Sequence, residues 1–313
     1  MRVATSTFSD NFMVQIGQLQ AKQQRLQNQA ATGLKLSLPE DNPSAMGQVL
    51  TLQTESSANT QYQSNISQLQ TQATTAYNAI NGLKTITNRI GEISTLAQDM
   101  TKSAQDRANY AAEVNQLLGQ ALQVGNTKDG NGNYIFGGTQ TGAAPFVATT
   151  DASGNITAVN YQGTTSLAAG EISPGVTVTA GTLGANTTGS GPRGLFTDSR
   201  SGADLFNHLI SLRNNLNSGN TAAIASTDAP AVSKDEDNLL YAVASNGAVQ
   251  SQLESASNLA TQQGLAVTSQ ISSRTDADLA QTLTQFSQAQ TAYQAALQSG
   301  VSVLNLSILN YIH

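Results

Sequence analysis

Gly189-Ser190-Gly191-Pro192-Arg193-Gly194 matches the G-x-G-x-x-G string that cradles phosphates. That chemistry needs a buried strand before the glycines and a helix start within them, so that backbone N–H groups converge on the ligand. Here the flanks are polar loop and Pro192 interrupts, so the string predicts no nucleotide site. Asp129, Asn131 and Asn133 imitate the first ligands of a calcium loop, but Tyr134 stands where glycine is required and Gln140 where the closing glutamate belongs. Asp151, Ser153 and Asn155 fail in the same way, through Ile156 and Gln162. Both stretches read as turns. The 2 histidines, His208 and His313, find no third metal ligand and no serine–aspartate partners in the pattern. Ser233-Lys234-Asp235-Glu236 reads as a capping box, so Asp235, Glu236 and Asp237 crowd a predicted helix N-terminus, where the dipole accounts for them. Asp276 and Asp278, two apart, point to different helix faces and make no catalytic pair. With no cysteine there is no disulfide, zinc–thiolate site or thiol chemistry. The residues predict no enzyme, no catalytic, cofactor-binding or metal-binding set, and no cofactor.

Composition points the same way. Charged residues are 11% of the chain, against about a quarter in ordinary domains, and aromatics are 5% with no tryptophan. Gln, Asn, Ser, Thr and Ala fill the deficit, which predicts polar but uncharged helices with thin cores. The net charge is −6 and the 14 Lys+Arg are scattered singly, so nucleic acid is excluded as a partner. The apolar run Val301 to Ile312 is short and broken by Ser302, Asn305, Ser307 and Asn310, whereas a membrane span needs about 20 residues. No membrane partner is expected. Met1 to Asp10 holds one Arg and no apolar run, so no cleavable secretory signal is expected either.

The elements that organise the chain lie at its ends. Leu279, Leu283, Phe286, Gln290, Tyr293, Leu297, Val301, Leu304, Ile308 and Tyr311 step by four and three, with one extra four at Val301. Phe8, Phe12, Ile16, Leu19, Gln23, Leu26, Ala30 and Gly33 do the same at the N-terminus. These are heptad seams. A stripe so narrow needs cover, and two readings supply it: an antiparallel pair closed on itself, or an assembly surface completed by other subunits. The apolar members of both seams, Phe8 to Leu26 and Leu279 to Tyr311, are the candidate interface.

Between the ends, Asn42 with Pro43 marks a helix start, as cap and first helical residue. Ile66, Leu69, Ala73, Ala76, Ile80, Leu83, Thr87, Ile90, Ser94 and Ala97 predict one face of a long helix, weakened by Gly82 and Gly91. Ser103 to Asp106 opens another helix, which Asp129-Gly130 closes. The period then turns strand-like around Tyr134-Ile135-Phe136, Phe146-Val147-Ala148, Ile156 to Tyr161, Leu167 to Ile172 and Val176 to Thr179. Helices resume at Gly202 to Asn217. From Ser233 to His313 there is no proline, with Gly247 and Gly264 the expected places for a break.

These residues resemble a family. Met1-Arg2-Val3, Ala31-Thr32-Gly33-Leu34-Lys35-Leu36, Pro39-Glu40-Asp41-Asn42-Pro43, Gln61-Tyr62 with Asn65-Ile66, Gly132 to Thr139 with Pro145-Phe146, Tyr161-Gln162-Gly163, Asn246-Gly247-Ala248 to Glu254, Asp276 to Ala280 and Ser307 to Ile312 are similar to stretches of the flagellar hook-associated protein 3 family, the hook–filament junction relatives of flagellin. Departures are Asn42 for an aspartate, Thr164 for an aspartate, and the terminal His313. The resemblance implies a mainly α fold: terminal heptad helices in a coiled coil, an elongated helical bundle, and a small β-rich inserted domain. The expected division is 1–38 with 278–313 as the coiled-coil assembly domain, 39–133 with 200–277 as the bundle, and 134–199 as the β-rich outer domain. It further implies a structural subunit, exported by the flagellar type III route and extracellular at the hook–filament junction. The implied partners are further copies of itself, the first hook-associated protein, flagellin, and an export chaperone on the C-terminal segment. The alternatives are flagellin itself, or a secreted adhesin using the β-rich insert.

Overall fold

The computed structural model describes the backbone of residues 2–38 and 40–312, and the side chains of 10–38 and 40–302. The chain is mainly helical with a small strand-rich region. It forms two compact units, Met1–Ala58 with Gln263–His313, and Asn59–Gln262. The helices are α1 (Arg2–Thr32), α2 (Pro43–Ala97), α3 (Ala104–Gly125), α4 (Leu205–Ser218), the single turn α5 (Thr221–Ala223), α6 (Ala229–Thr275) and α7 (Leu279–Ile312). Between α3 and α4 run β1 (Phe146–Thr150), β2 (Ile156–Tyr161), β3 (Gly170–Ser173), β4 (Val176–Val178), β5 (Leu183–Asn186), β6 (Gly194–Asp198) and β7 (Ala203–Asp204).

The larger unit is built on the face of α2 that its periodicity marks out. All ten residues from Ile66 to Ala97 on that stripe are buried. Ile80, Leu83, Ile90 and Ala97 pack with Ala111, Val114, Leu118 and Ala121 of α3 and with Leu205, Leu209, Leu212 and Leu216 of α4, while Ile66, Leu69 and Ala73 form a second cluster with Ile172 and Val178 of the strands and Leu253 and Ala260 of α6. Where apolar bulk runs short, amides take over. The Asn59 side chain donates to the Ala260 carbonyl at 2.8 Å, and Asn246 donates to the Ala73 carbonyl at 3.0 Å. Both amides are buried, so each bond is made in a low dielectric and pins one helix against the other.

The strands make three small sheets: the antiparallel hairpin β1–β2, the antiparallel hairpin β3–β4, and a three-stranded sheet in the order β5-β6-β7 with β5 and β6 parallel. They do not stand apart as a domain. Phe146 and Phe196 of β1 and β6 meet Phe136, Tyr161 and Phe206, with ring centroids 4.8 to 5.7 Å apart, inside the core shared with α2, α3 and α4. The Tyr161 hydroxyl donates to the Phe136 carbonyl at 3.0 Å, and burial pushes its pKa up to about 12. This places the sequence-based border at residue 134 within one core.

Helix ends follow the predicted caps in part. Asn42 accepts from the Ala45 N–H at 3.0 Å, and Ser103 with Asp106 forms the reciprocal box. Asp129 and Asp151 each accept two backbone N–H groups of their own loops at 2.8 to 2.9 Å, as turns do. Two expectations are corrected. Ser233 is no cap, because the chain is already helical from Thr221. A π turn at Ile224–Asp228, closed by the Ala229 N–H on the Ile224 carbonyl, carries it to Pro230, which has no N–H to offer. Nor do Gly247 and Gly264 break α6; the break falls at Thr275–Asp278, where Asp278 caps α7 through the Gln281 N–H at 3.0 Å.

Inside α6 the acidic cluster is divided among different neighbours. Asp235 is buried, accepts the Asp204 N–H at 2.9 Å and lies 2.8 Å from His208 Nδ1. Burial opposes the imidazolium, but the Asp235 carboxylate outweighs it and raises the His208 pKa above its ordinary value. A raised folded value contributes stability that is complete below the unfolded pKa and is lost as pH rises through the folded one. The thermal midpoint is therefore expected to fall as pH rises from about 6.5, the ordinary value, through the higher folded one. In His208→Gln that decline should disappear when both are followed by circular dichroism.

Candidate assembly interface

In the smaller unit α1 and α7 pack antiparallel. The turn between α6 and α7 fixes their register. Gly33 ends α1 in the left-handed conformation, φ 73°, a geometry that favours glycine, and its carbonyl accepts the Ala277 N–H at 2.8 Å. Leu34 bridges Asp276, the Lys35 N–H donates to the Thr275 carbonyl at 2.7 Å, and Lys35 Nζ donates to the Ser273 carbonyl at 2.8 Å. Asp276 accepts from the Ser272 and Thr275 hydroxyls, which hold its pKa below the usual carboxylate value, and the Lys35 charge adds to this. Asp276 and Asp278, discounted as chemistry, are thus parts of one turn.

At the other end of the described pair the Phe12 ring lies on Gly300, where an added Cβ would collide with it. On α1 the stripe Phe12, Ile16, Leu19, Gln23, Leu26 and Ala30 is the half-buried or buried face, as the heptad spacing marks it. On α7 the covered face is Thr282, Phe286, Ala289, Tyr293, Ala296 and Gly300. Four of these six α7 residues are small, so the covered face of α7 carries little apolar bulk, and at Gly300 the missing side chain admits the Phe12 ring.

Only Phe286 and Tyr293 of the predicted α7 residues lie on that face. Leu279, Leu283, Leu297 and Val301 are 42 to 58% exposed and form a second apolar stripe beside the first. The side chains of Phe8, Leu304, Ile308 and Tyr311 lie outside the described residues. Sequence reasoning missed Thr282, Ala289, Ala296 and Gly300 because it ranked positions by apolarity. The signal available was the recurrence of small residues at Thr282, Ala289 and Ala296, seven apart, and at Gly300 four further on, on one side of the leucine stripe. On α1, Met13 and Val14 are exposed as well. Among the described residues no three metal-ligating side chains cluster, and no helix is long and apolar enough to cross a membrane.

Comparison with known proteins follows the same outline. The family profile "bacterial flagellin N-terminal helical region" matches residues 3–141. Over 146 residues the chain is 30% identical to flagellar hook-associated protein 3 of Salmonella typhimurium, a match covering 47% of this chain and 46% of that protein. It thus spans about half the length of that curated relative. A solved structure from Vibrio parahaemolyticus, described as a flagellar hook-associated protein, superposes with a TM-score of 0.64 at 21% identity, over 75% of this chain and 100% of the other. Flagellar hook-associated protein 3 of Legionella pneumophila gives 0.60 at 14% identity, over 72% and 98%. These structures share the fold.

The Phe12–Gly300 contact yields a test. Gly300→Leu must push the ring aside, at a cost of about 1–3 kcal/mol. Amide exchange should quicken in α1 and α7 and stay unchanged in the larger unit.

Proposed function

We propose that this chain is a structural subunit of the bacterial flagellum that joins the hook to the flagellin filament. The carrying observation is the second apolar stripe of α7. Leu279, Leu283, Leu297 and Val301 share one helix face, α1 covers the face beside it, and these four are left open. An unpartnered apolar stripe on a heptad helix is what a shared helix bundle requires, since each neighbouring copy supplies the missing cover. The match of residues 3–141 to the flagellin N-terminal region, and the likeness to hook-associated proteins, support the same reading.

On this reading the copies form a layer, with Phe8, Phe12, Ile16, Leu19, Leu26, Leu279, Leu283, Phe286, Tyr293, Leu297, Val301, Leu304, Ile308 and Tyr311 buried among terminal helices. The partners are further copies, the first hook-associated protein below, flagellin above, and an export chaperone on the C-terminal segment before assembly. The chain works outside the cell, carried there by type III export, and catalyses nothing. Deleting its gene should leave hooks without filaments and flagellin shed into the medium. Normal filaments in the deletion strain would refute the junction role, and filaments built from this chain would make it a flagellin.

The stripe itself is tested by Leu283→Asp with Leu297→Asp. Both positions face solvent in the single chain, so stability should change by no more than roughly 0.5 kcal/mol each. The exported variant should fail to retain filaments.

A further inference from the structure

Gly91 stands inside α2, in its last two turns, where glycine weakens a helix. Its place is explained by the neighbouring helix. A Cβ at Gly91 would come within 2.8 Å of Glu236 Oε1, so the missing side chain lets a carboxylate of α6 rest against α2. That carboxylate has no hydrogen bond or ion pair among the described residues. Burial raises its pKa, and the Asp237 charge adds to the effect. Three residues along α2, Ser94 is 1% exposed and its Oγ finds no partner, the one such buried side-chain atom among the described residues. A helical serine has the carbonyl four residues back within reach, as Thr87 uses Leu83, yet Ser94 does not take it.

Both groups line the same cleft, of about 780 Å³, between α2 and α6. Leu96, Ala229 and Val232 give it an apolar wall, and no lysine or arginine lines it. Glu92, on its rim, is already paired with Arg89 at 2.8 Å, and the Lys234 side chain lies beside Gly202 instead. An uncompensated carboxylate and an orphan hydroxyl over an apolar wall fit a monocation that donates hydrogen bonds and carries an aliphatic stem. A metal ion would need more ligands than the single free carboxylate supplies.

We infer that this cleft is a socket for a lysine side chain of a neighbouring copy, its charged head on Glu236 and Ser94 and its stem along Leu96 and Val232. The copies carry their 14 basic residues singly, on a chain of net charge −6, so each such side chain has carboxylates to seek across an interface. The source of the side chain rests on the assembly reading above; the chemistry of the socket does not.

The isolated chain, labelled with 15N, is titrated with n-butylammonium chloride, with sodium chloride as control. Saturable shifts are expected at the amides of Gly91, Ser94 and Glu236, with a Kd on the order of 10 mM. Glu236→Gln should weaken binding by roughly tenfold or more. Gly91→Ala should weaken it as well, by displacing the carboxylate, without lowering the melting midpoint. Shifts that do not saturate, that sodium chloride reproduces, or that survive Glu236→Gln would overturn the socket whether or not the chain assembles. Carbodiimide coupling of a mixed 14N/15N assembly then tests the source. Glu236 joined to a lysine of a second copy is expected; Glu236 joined only to lysines of its own chain, or to none, would overturn the neighbouring copy as occupant.

Discussion

The ring of Phe12 against Gly300, with the Gly33–Ala277 bond at the other end, is the constraint on which the terminal helix pair depends. Together they fix which face of α7 meets α1. Once that face is the small one, through Ala289, Ala296 and Gly300, the leucines of α7 must lie to the side. A helix of period 3.6 cannot turn both stripes to one partner. The exposed stripe therefore follows from the register, and the assembly role proposed for this chain rests on the stripe.

The larger unit meets the same shortage of apolar bulk by a different route. Buried amides of Asn59 and Asn246 bond helix carbonyls that already serve their own helices. Carbonyl oxygens have a second lone pair, so these bonds add to the helix ladder without breaking it. Bonds of this kind fix register more sharply than aliphatic contacts do, because a slip of one residue leaves a buried amide unpaired. Five aromatic side chains then hold the strands to the helices, in a chain with few aromatics to spend.

What could be read from the sequence was what repeats. The stripe from Ile66 to Ala97 was legible residue by residue, since three-four spacing leaves a helix one inward face. The Asn42 and Ser103 caps were legible because a side-chain oxygen three residues before a free N–H has one obvious use. The Ser233 box misled because the same local pattern occurs inside a helix whose true start lies upstream, hidden by a π turn that ends just before Pro230. The α7 face misled for another reason. Apolarity reports what avoids water, and not which of two adjacent stripes a given partner covers. Gly91 looked like a defect, since nothing local shows that Glu236 arrives from a helix more than a hundred residues away.

The absence of native cysteine makes the central claim directly measurable. A Leu297→Cys chain carries one thiol on the open stripe, and its alkylation rate can be followed in the isolated chain and on assembled flagella. The account predicts fast modification in the isolated chain and strong protection once assembled, with the terminal pair intact in both. Equal rates in the two states would mean that no neighbour covers the stripe, and that α1 and α7 form a pair closed on itself.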